Sequence, residues 1–355
     1  MNMKELKIGN KVAKVPIVQG GMGIGISLAG LASAVANQGG IGVISAAGVG
    51  FFEKIKSHFF ENNSAALKKQ IREAREKTDG LIGVNIMVAL SDFESLCKAA
   101  IEEKADFIFA GAGLPLRLPE YKTEGSETLL VPIVSSGRAA SLITKHWLKK
   151  YQYLPDAFVI EGPKAGGHLG FSALELVDPR FALENLLPQV QEALLPFEQE
   201  YNKKIPLIVG GGIYTGGDIK KFLELGASGV QMATRFVTTY ECDASDEFKQ
   251  TYINATKEDI TIIKSPVGLP GRAIKNDFID QVNQDNKHPF TCPYHCISTC
   301  KKEQSPYCIT LALVSAQRGK LKNGFAFAGS NAYLATKITS IKEVFQNLFR
   351  EYEMA

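Results

Sequence analysis

An excess of charge of one sign is missing from this chain. Forty Lys and Arg stand against thirty-seven Asp and Glu, a formal net charge of +3 in 355 residues. A nucleic-acid-binding domain usually carries a strongly basic face, so that class is set aside. No secretory leader is expected either, because MNMKELKIGNKVAK has no apolar core. The stretch 28–52 is apolar, yet it holds Asn37, Gln38 and several Gly. It divides into a helix and a strand, which excludes a membrane span there. A cytoplasmic protein without a membrane partner is the expectation. Neither a Walker loop nor the G-x-G-x-x-G dinucleotide fingerprint occurs, and no carboxylate pair stands out for glycosidase chemistry.

Cysteine is sparse but unevenly placed. Cys97 and Cys242 are isolated, whereas Cys292, Cys296, Cys300 and Cys308 crowd into seventeen residues with His288 and His295 nearby. Without a leader, disulfides are disfavoured. The spacing C-x3-C-x3-C-x7-C matches neither the usual zinc pairs nor the common ferredoxin run. Buried or redox-active thiols and a metal or iron–sulfur site therefore both stay open, and the metal is unknown.

What is abundant is apolar material, 45% of the chain, and glycine, 33 residues. The glycines cluster after short apolar runs. Strands are expected at 15–19, 41–45, 81–88, 107–110, 129–135, 157–160, 206–209 and 230–236, with helical stretches between them. Ser91 is expected to N-cap the helix that runs to Lys104. The charge run 68–77 reads as a solvated helix face with i,i+4 pairs, Trp147 as packing and His146 as surface. This alternation fits an α/β (β/α)8 barrel, typically about 250 residues, over an open doubly wound sheet. Residues 1–237 and 325–355 are expected to form the barrel. The rhythm breaks over 238–324, where KSPVGLPGRAIKND reads as turns, and this segment is expected to cap the barrel mouth. The apolar spacing of Ile338, Ile341, Val344, Phe345 and Leu348 predicts the closing helix.

Three motifs can carry chemistry. VGGGI at 209–213 and GVQMATRF at 229–236 fall after strands 7 and 8, a common phosphate site in barrels. Glycine lets backbone N–H groups approach an anion, and a following helix N-terminus adds positive potential. QGGMG at 19–23 offers close backbone approach to a flat ligand. His168, in EGPKAGGHLG, sits on a glycine-rich loop at the expected active face, where imidazole serves proton transfer. Each motif alone reads equally as turn glycines or a structural histidine.

Together, PIVQGGMGIGIS, GVNIMV, EGPKAGGHLG, PLIVGGGI and GVQMATRF resemble, in order, the nitronate monooxygenase family, whose superfamily includes FMN-dependent enoyl-acyl-carrier-protein reductases. The resemblance covers about residues 12–240. It implies a barrel holding FMN, with Gly21, Met22 and Gly23 along the flavin ring and Asn85 touching it. Glu161 falls where relatives often have Gln, and Gly166 matches a backbone contact. Gly212, Gln231, Met232, Ala233 and Thr234 match the phosphate site. Ala233 replaces a common Gly and requires negative φ. His168 matches the catalytic histidine, while Pro163 and Lys164 depart from the acidic residue common before AGGH and alter its local charge. The resemblance implies oxidation of alkyl nitronates with O2, or reduction of enoyl thioesters with NAD(P)H. A flavin-binding redox sensor without turnover is the non-enzymatic alternative, and a homo-oligomer is left open.

Overall fold

The computed structural model describes residues 3–53, 58–284, 290–292 and 294–355. Strands β1 (Leu6–Ile8) and β2 (Lys11–Ala13) form an antiparallel hairpin. Eight parallel strands then close a barrel: β3 (Ile17–Gln19), β4 (Ile41–Ser45), β5 (Leu81–Met87), β6 (Phe107–Gly111), β7 (Leu129–Val134), β8 (Phe158–Glu161), β10 (Leu207–Gly210) and β11 (Gly229–Met232). The predicted strands and the barrel are borne out, with ends trimmed by a few residues. The last segment differs: the strand stops at Met232, and Thr234–Val237 turns into a short helix.

The interior is packed by Val18, Val43, Phe107, Phe109, Val131, Val159 and Ile208, and Leu6 and Ile8 of the hairpin join this cluster. The hairpin therefore plugs the N-terminal end of the barrel, a role the sequence reading did not give it. Helices α1 (Ala29–Asn37), α2 (Phe59–Lys77), α3 (Phe93–Glu102), α4 (Gly137–Tyr151), α5 (Leu183–Glu200), α6 (Gly216–Glu224) and the short α7 (Thr234–Val237) follow the strands. The C-terminal helix α11 (Ile341–Met354) packs against α6, α1 and α7 and completes the ring. Its Phe345 stacks on Phe236 at 6.0 Å, and Glu351 pairs with Arg235 at 2.9 Å.

Between α7 and α11 lie α8 (Asp246–Asn254), β12 (Ile260–Lys264), β13 (Pro270–Ile274), α9 (Asp277–Asn283) and α10 (Ile309–Gln317). The turn-rich reading of KSPVGLPGRAIKND needs correction. This stretch supplies the turn and second strand of a β-hairpin, and β13 pairs in turn with β9 (Gly167–His168). The β-branched run ITIIK before a Pro-Val-Gly turn carried that signal. Pro270 is tolerated because it opens its strand.

Two local expectations also change. Asp92, not Ser91, occupies the N-cap of α3, and its carboxylate accepts from Asn63 at 2.8 Å. Ser91 instead donates through its hydroxyl to the His295 carbonyl at 2.6 Å. The charged face of α2 forms one i,i+4 pair, Lys69–Glu73, but Lys68, Arg72 and Arg75 reach across to Glu102, Glu103 and Asp106. Trp147 is fully buried as expected, and its indole N–H donates to the Pro115 carbonyl at 3.0 Å.

Candidate active site

The C-terminal ends of all eight barrel strands open into one cavity of about 640 Å³. The glycine-rich turns lie here for a steric reason. A Cβ at Gly21 would sit 2.3 Å from Cβ of Asn85, so only glycine lets the turn after β3 lie beside β5. Gly211 and Gly212 have φ of +107° and +87°, the left-handed region that side chains avoid. Ala233 has φ −123°, so its methyl is accommodated as required.

Every residue that the resemblance placed at the flavin or in catalysis borders this cavity: Gly21, Met22, Gly23, Asn85, Glu161, Gly166, His168, Gly212, Gln231, Met232, Ala233 and Thr234. They do not contribute alike. The Met232 side chain belongs to the hydrophobic core, while its carbonyl accepts from Gly20 N–H at 2.8 Å. The Met22 amide donates to Ser27 Oγ at 2.8 Å, folding the turn back on itself. Thr234 Oγ1 accepts from Gly329 N–H at 3.1 Å, and Asn331 Nδ2 donates to the Gly212 carbonyl at 2.7 Å. The segment after α10 thus returns to lock both glycine turns.

The expected helix N-terminus beside the phosphate motif is already taken. Asp218 of α6 accepts from the Tyr214 and Thr215 amides at 3.0 and 2.8 Å, and Glu351 accepts from Gly216 N–H at 2.8 Å. These carboxylates engage the amides at the start of α6. Among the described residues, no protein acceptor meets the amides of Gly212, Ala233 or Thr234. Those amides, with the Lys164 stem packed against Gly212, form the open cradle instead. A backbone cradle at glycine turns fits a bound phosphate, and the glycine floor from Gly20 to Gly23 fits a flat ring, so the residues present suit FMN.

His168 lies on β9, opposite Gly271 of β13. Its Nε2 is 2.7 Å from Ser265 Oγ, and Phe327 meets the ring edge-on at 5.0 Å. Burial pushes the imidazole down to about 4, so it is neutral at pH 7. Lys164 has no part in this, because burial alone lowers His168. The bond to Ser265 engages Nε2, and among the described residues no partner meets Nδ1. Glu161, at the end of β8, is raised to about 7 by burial. A carboxyl that keeps its proton to neutral pH offers one donor and one acceptor, like the Gln that relatives often carry.

Sequence reasoning missed the residues that hold His168. Ser265 stands at the hairpin turn and is buried. Arg272 of β13 donates to the carbonyls of Pro163 and Ala165 at 2.7 and 2.6 Å, pinning the loop that carries Gly166. Tyr252 donates to the Phe327 carbonyl. A serine, an arginine and a tyrosine in an irregular segment carry no motif, so only the fold brings them to the site.

A closed parallel barrel whose strand ends share one glycine-floored cavity, with a half-buried histidine on its wall, defines a barrel enzyme. The chain belongs to the nitronate monooxygenase family, whose model matches residues 4–351. It is similar to the probable nitronate monooxygenase of Bacillus subtilis (strain 168), at 26% identity over 375 residues and 95% of each chain. It is also 30% identical over 268 residues to (3aS,4S,5R,7aS)-5-hydroxy-7a-methyl-1-oxo-octahydro-1H-indene-4-carboxyl-CoA dehydrogenase of Rhodococcus jostii (strain RHA1). That match covers 75% of this chain but 64% of the relative, less than two thirds of its length. Among solved structures it is similar to FabK from Thermotoga maritima, with TM-score 0.73, 26% identity, and 96% and 93% of the two chains covered. Among the described residues, no helix is long and apolar enough to cross a membrane.

Proposed function

We propose that this chain is an FMN-dependent nitronate monooxygenase that oxidises alkyl nitronates with O2. The observation that carries the reading is the neutral His168, held by Ser265 on the wall of the cavity that the glycine cradle floors. Bound FMN supplies the redox chemistry between substrate and O2. With Nε2 donating to Ser265, the Nδ1 lone pair accepts the carbon proton where the substrate enters as the parent nitroalkane, which forms the nitronate in place. The resulting nitronate anion favours imidazolium, so His168 keeps the proton while the charge is present. The amides of Gly212, Ala233 and Thr234 hold the cofactor phosphate, and Gly21 to Gly23, Asn85, Glu161, Gly166 and Gln231 surround its ring and chain. In this reading residues 1–237 and 325–355 hold the cofactor, residues 238–324 face the substrate, and the enzyme works in the cytoplasm on a small molecule.

A second reading has its own support. Phe59, Leu90, Leu114, Leu269, Ile309 and Leu313 give the cavity an apolar wall larger than a short alkyl nitronate fills. A relative named as a carboxyl-CoA dehydrogenase matches three quarters of the chain. Both favour an FMN-dependent enoyl-thioester reductase using NAD(P)H as the alternative. Steady-state turnover separates them: nitronate plus O2 against enoyl thioester plus NAD(P)H, on yellow protein that releases FMN when denatured. Faster turnover on the nitronate supports the first reading and faster turnover on the thioester the second. Colourless protein that takes up no FMN sinks both.

A further inference from the structure

Four cysteines crowd into residues 292–308, of which Cys296 lines the cavity, and the proposed reaction uses none of them. We propose that Cys292, Cys296, Cys300 and Cys308 ligate a four-iron, four-sulfide cluster beside the cavity. The fold gathers them from two directions. The loop carrying the first three is fastened to the start of α3, where Ser91 N–H donates to the Cys296 carbonyl at 3.1 Å and Ser298 N–H to the Ala89 carbonyl at 2.9 Å. Cys308 is the N-cap of α10. Cys296 Sγ is 3.1 Å from Thr310 Oγ1, in the first turn of that helix and two residues from Cys308. The Cys300 amide donates to the Ile297 carbonyl at 3.1 Å, so a single tight turn separates Cys296 from Cys300.

The surroundings suit thiolate sulfur. The His295 amide donates to Cys292 Sγ at 3.4 Å. Thr310 supplies a hydroxyl at Cys296, and Ser305 Oγ is 4.0 Å from Cys300 Sγ. Hydrogen-bond groups beside ligand sulfurs, as at Cys292, Cys296 and Cys300, are a means by which proteins hold and tune such clusters. All four thiols are free and partly buried. Among the described residues, no three His, Cys, Asp or Glu side chains are grouped as ligands of a single ion. A cubane asks less of them, because each thiolate binds a different iron and the sulfurs stay farther apart than four ligands on one ion. His288 lies outside the described residues and takes no part in the assignment.

The experiment counts iron on the full chain, purified anaerobically and then offered ferric and ferrous iron in equal amounts with sulfide. The expected result is about four iron and four acid-labile sulfides per chain, with broad visible absorption that survives removal of flavin. Dithionite should bleach it and produce an EPR signal at low temperature. Cys296→Ser and Cys300→Ser should each lose most of the iron. Fewer than about three iron per chain after reconstitution overturns the proposal. So does stoichiometric zinc, or a disulfide among the four found by mass mapping of the anaerobic protein. Iron undiminished in the serine variants overturns the ligand assignment. The wild-type count stands whether or not the variants fold, and it is independent of which substrate the flavin site takes.

Discussion

Two titratable side chains face the cavity with their ordinary behaviour reversed by burial. His168 is held near 4 and Glu161 near 7, so around neutral pH the base is uncharged and the carboxyl is half protonated. His168→Ala should keep FMN and lose turnover by a factor on the order of 10²–10⁴, the range of general acid–base catalysis. A variant that binds FMN and keeps full turnover removes the residue from the mechanism. In the parent enzyme the acidic limb of kcat/KM should fall near pH 4. Glu161 makes a different prediction, read on the flavin-free protein. Its folded pKa is raised above the unfolded 4.5, so between pH 4.5 and about 7 the folded state binds more protons. Stability therefore falls as pH rises through that window, and the loss is complete above it. Glu161→Gln should remove this loss, gaining up to about 3 kcal/mol over the parent at pH 8 relative to pH 4, less where water enters the cavity. Parallel denaturant melts at the two pH values check it; identical pH dependence in the two proteins would show that the carboxyl is not desolvated. The position of His168 was legible from AGGH, but its neutrality was not. Neutrality comes from burial under a hairpin that the sequence presents as turns.

That hairpin is the element on which the site depends. β12 and β13 extend a sheet onto β9, and this places Ser265 on His168 and Arg272 on the loop carrying Gly166. The barrel strands were legible because a parallel strand buried on both faces is a continuous apolar run, as in Ile41–Ser45 and Phe107–Gly111. Helix α11 was legible from its 3.6-residue spacing. β13 was not, because Pro270, Gly271 and Arg272 have low strand propensity and are held by pairing with β9 and β12. The remote cap on α1 was equally hidden. Leu28 at its N-cap offers no acceptor, and Asp243, from far along the chain, accepts from the Leu28, Gly30 and Leu31 amides at 2.7, 3.3 and 3.2 Å. Arg272→Met should test the hairpin as a positioning element. It keeps the bulk and removes both bonds to the Pro163 and Ala165 carbonyls. We expect kcat to fall about tenfold to a hundredfold through misplacement of the loop. Looser packing should also hydrate His168, moving the acidic limb of kcat/KM from about 4 toward 6.5. A drop in stability with an unmoved limb would make Arg272 merely structural.

At the scale of the whole molecule, the cavity belongs to no single element. Each of the eight strands ends in it, and the return segment fastens Gly329 to Thr234 and Asn331 to Gly212. The opposite end of the barrel is filled by its own apolar cluster and plugged by the β1–β2 hairpin. Folding can therefore proceed without the cofactor, while the cofactor stabilises the finished cavity by binding only the folded state. Added FMN at about a thousand times its dissociation constant should raise unfolding free energy by about 4 kcal/mol. Gly212→Asp separates the two contributions. It places a β-substituted residue at φ +87° and an anion among the amides proposed to hold phosphate. The left-handed backbone should cost the flavin-free protein about 1 kcal/mol, and the new Cβ would lie 2.9 Å from Lys164 Cβ, so Lys164 must shift as well and the flavin-free melt reads the sum. The FMN-dependent rise in melting temperature should vanish, since like charges meet in the cradle and the amides cannot serve both. Melting each protein with and without FMN reads both quantities at once. If Gly212→Asp keeps the full FMN-dependent rise, the phosphate does not lie at Gly212, Ala233 and Thr234, and the cofactor is held elsewhere in the barrel.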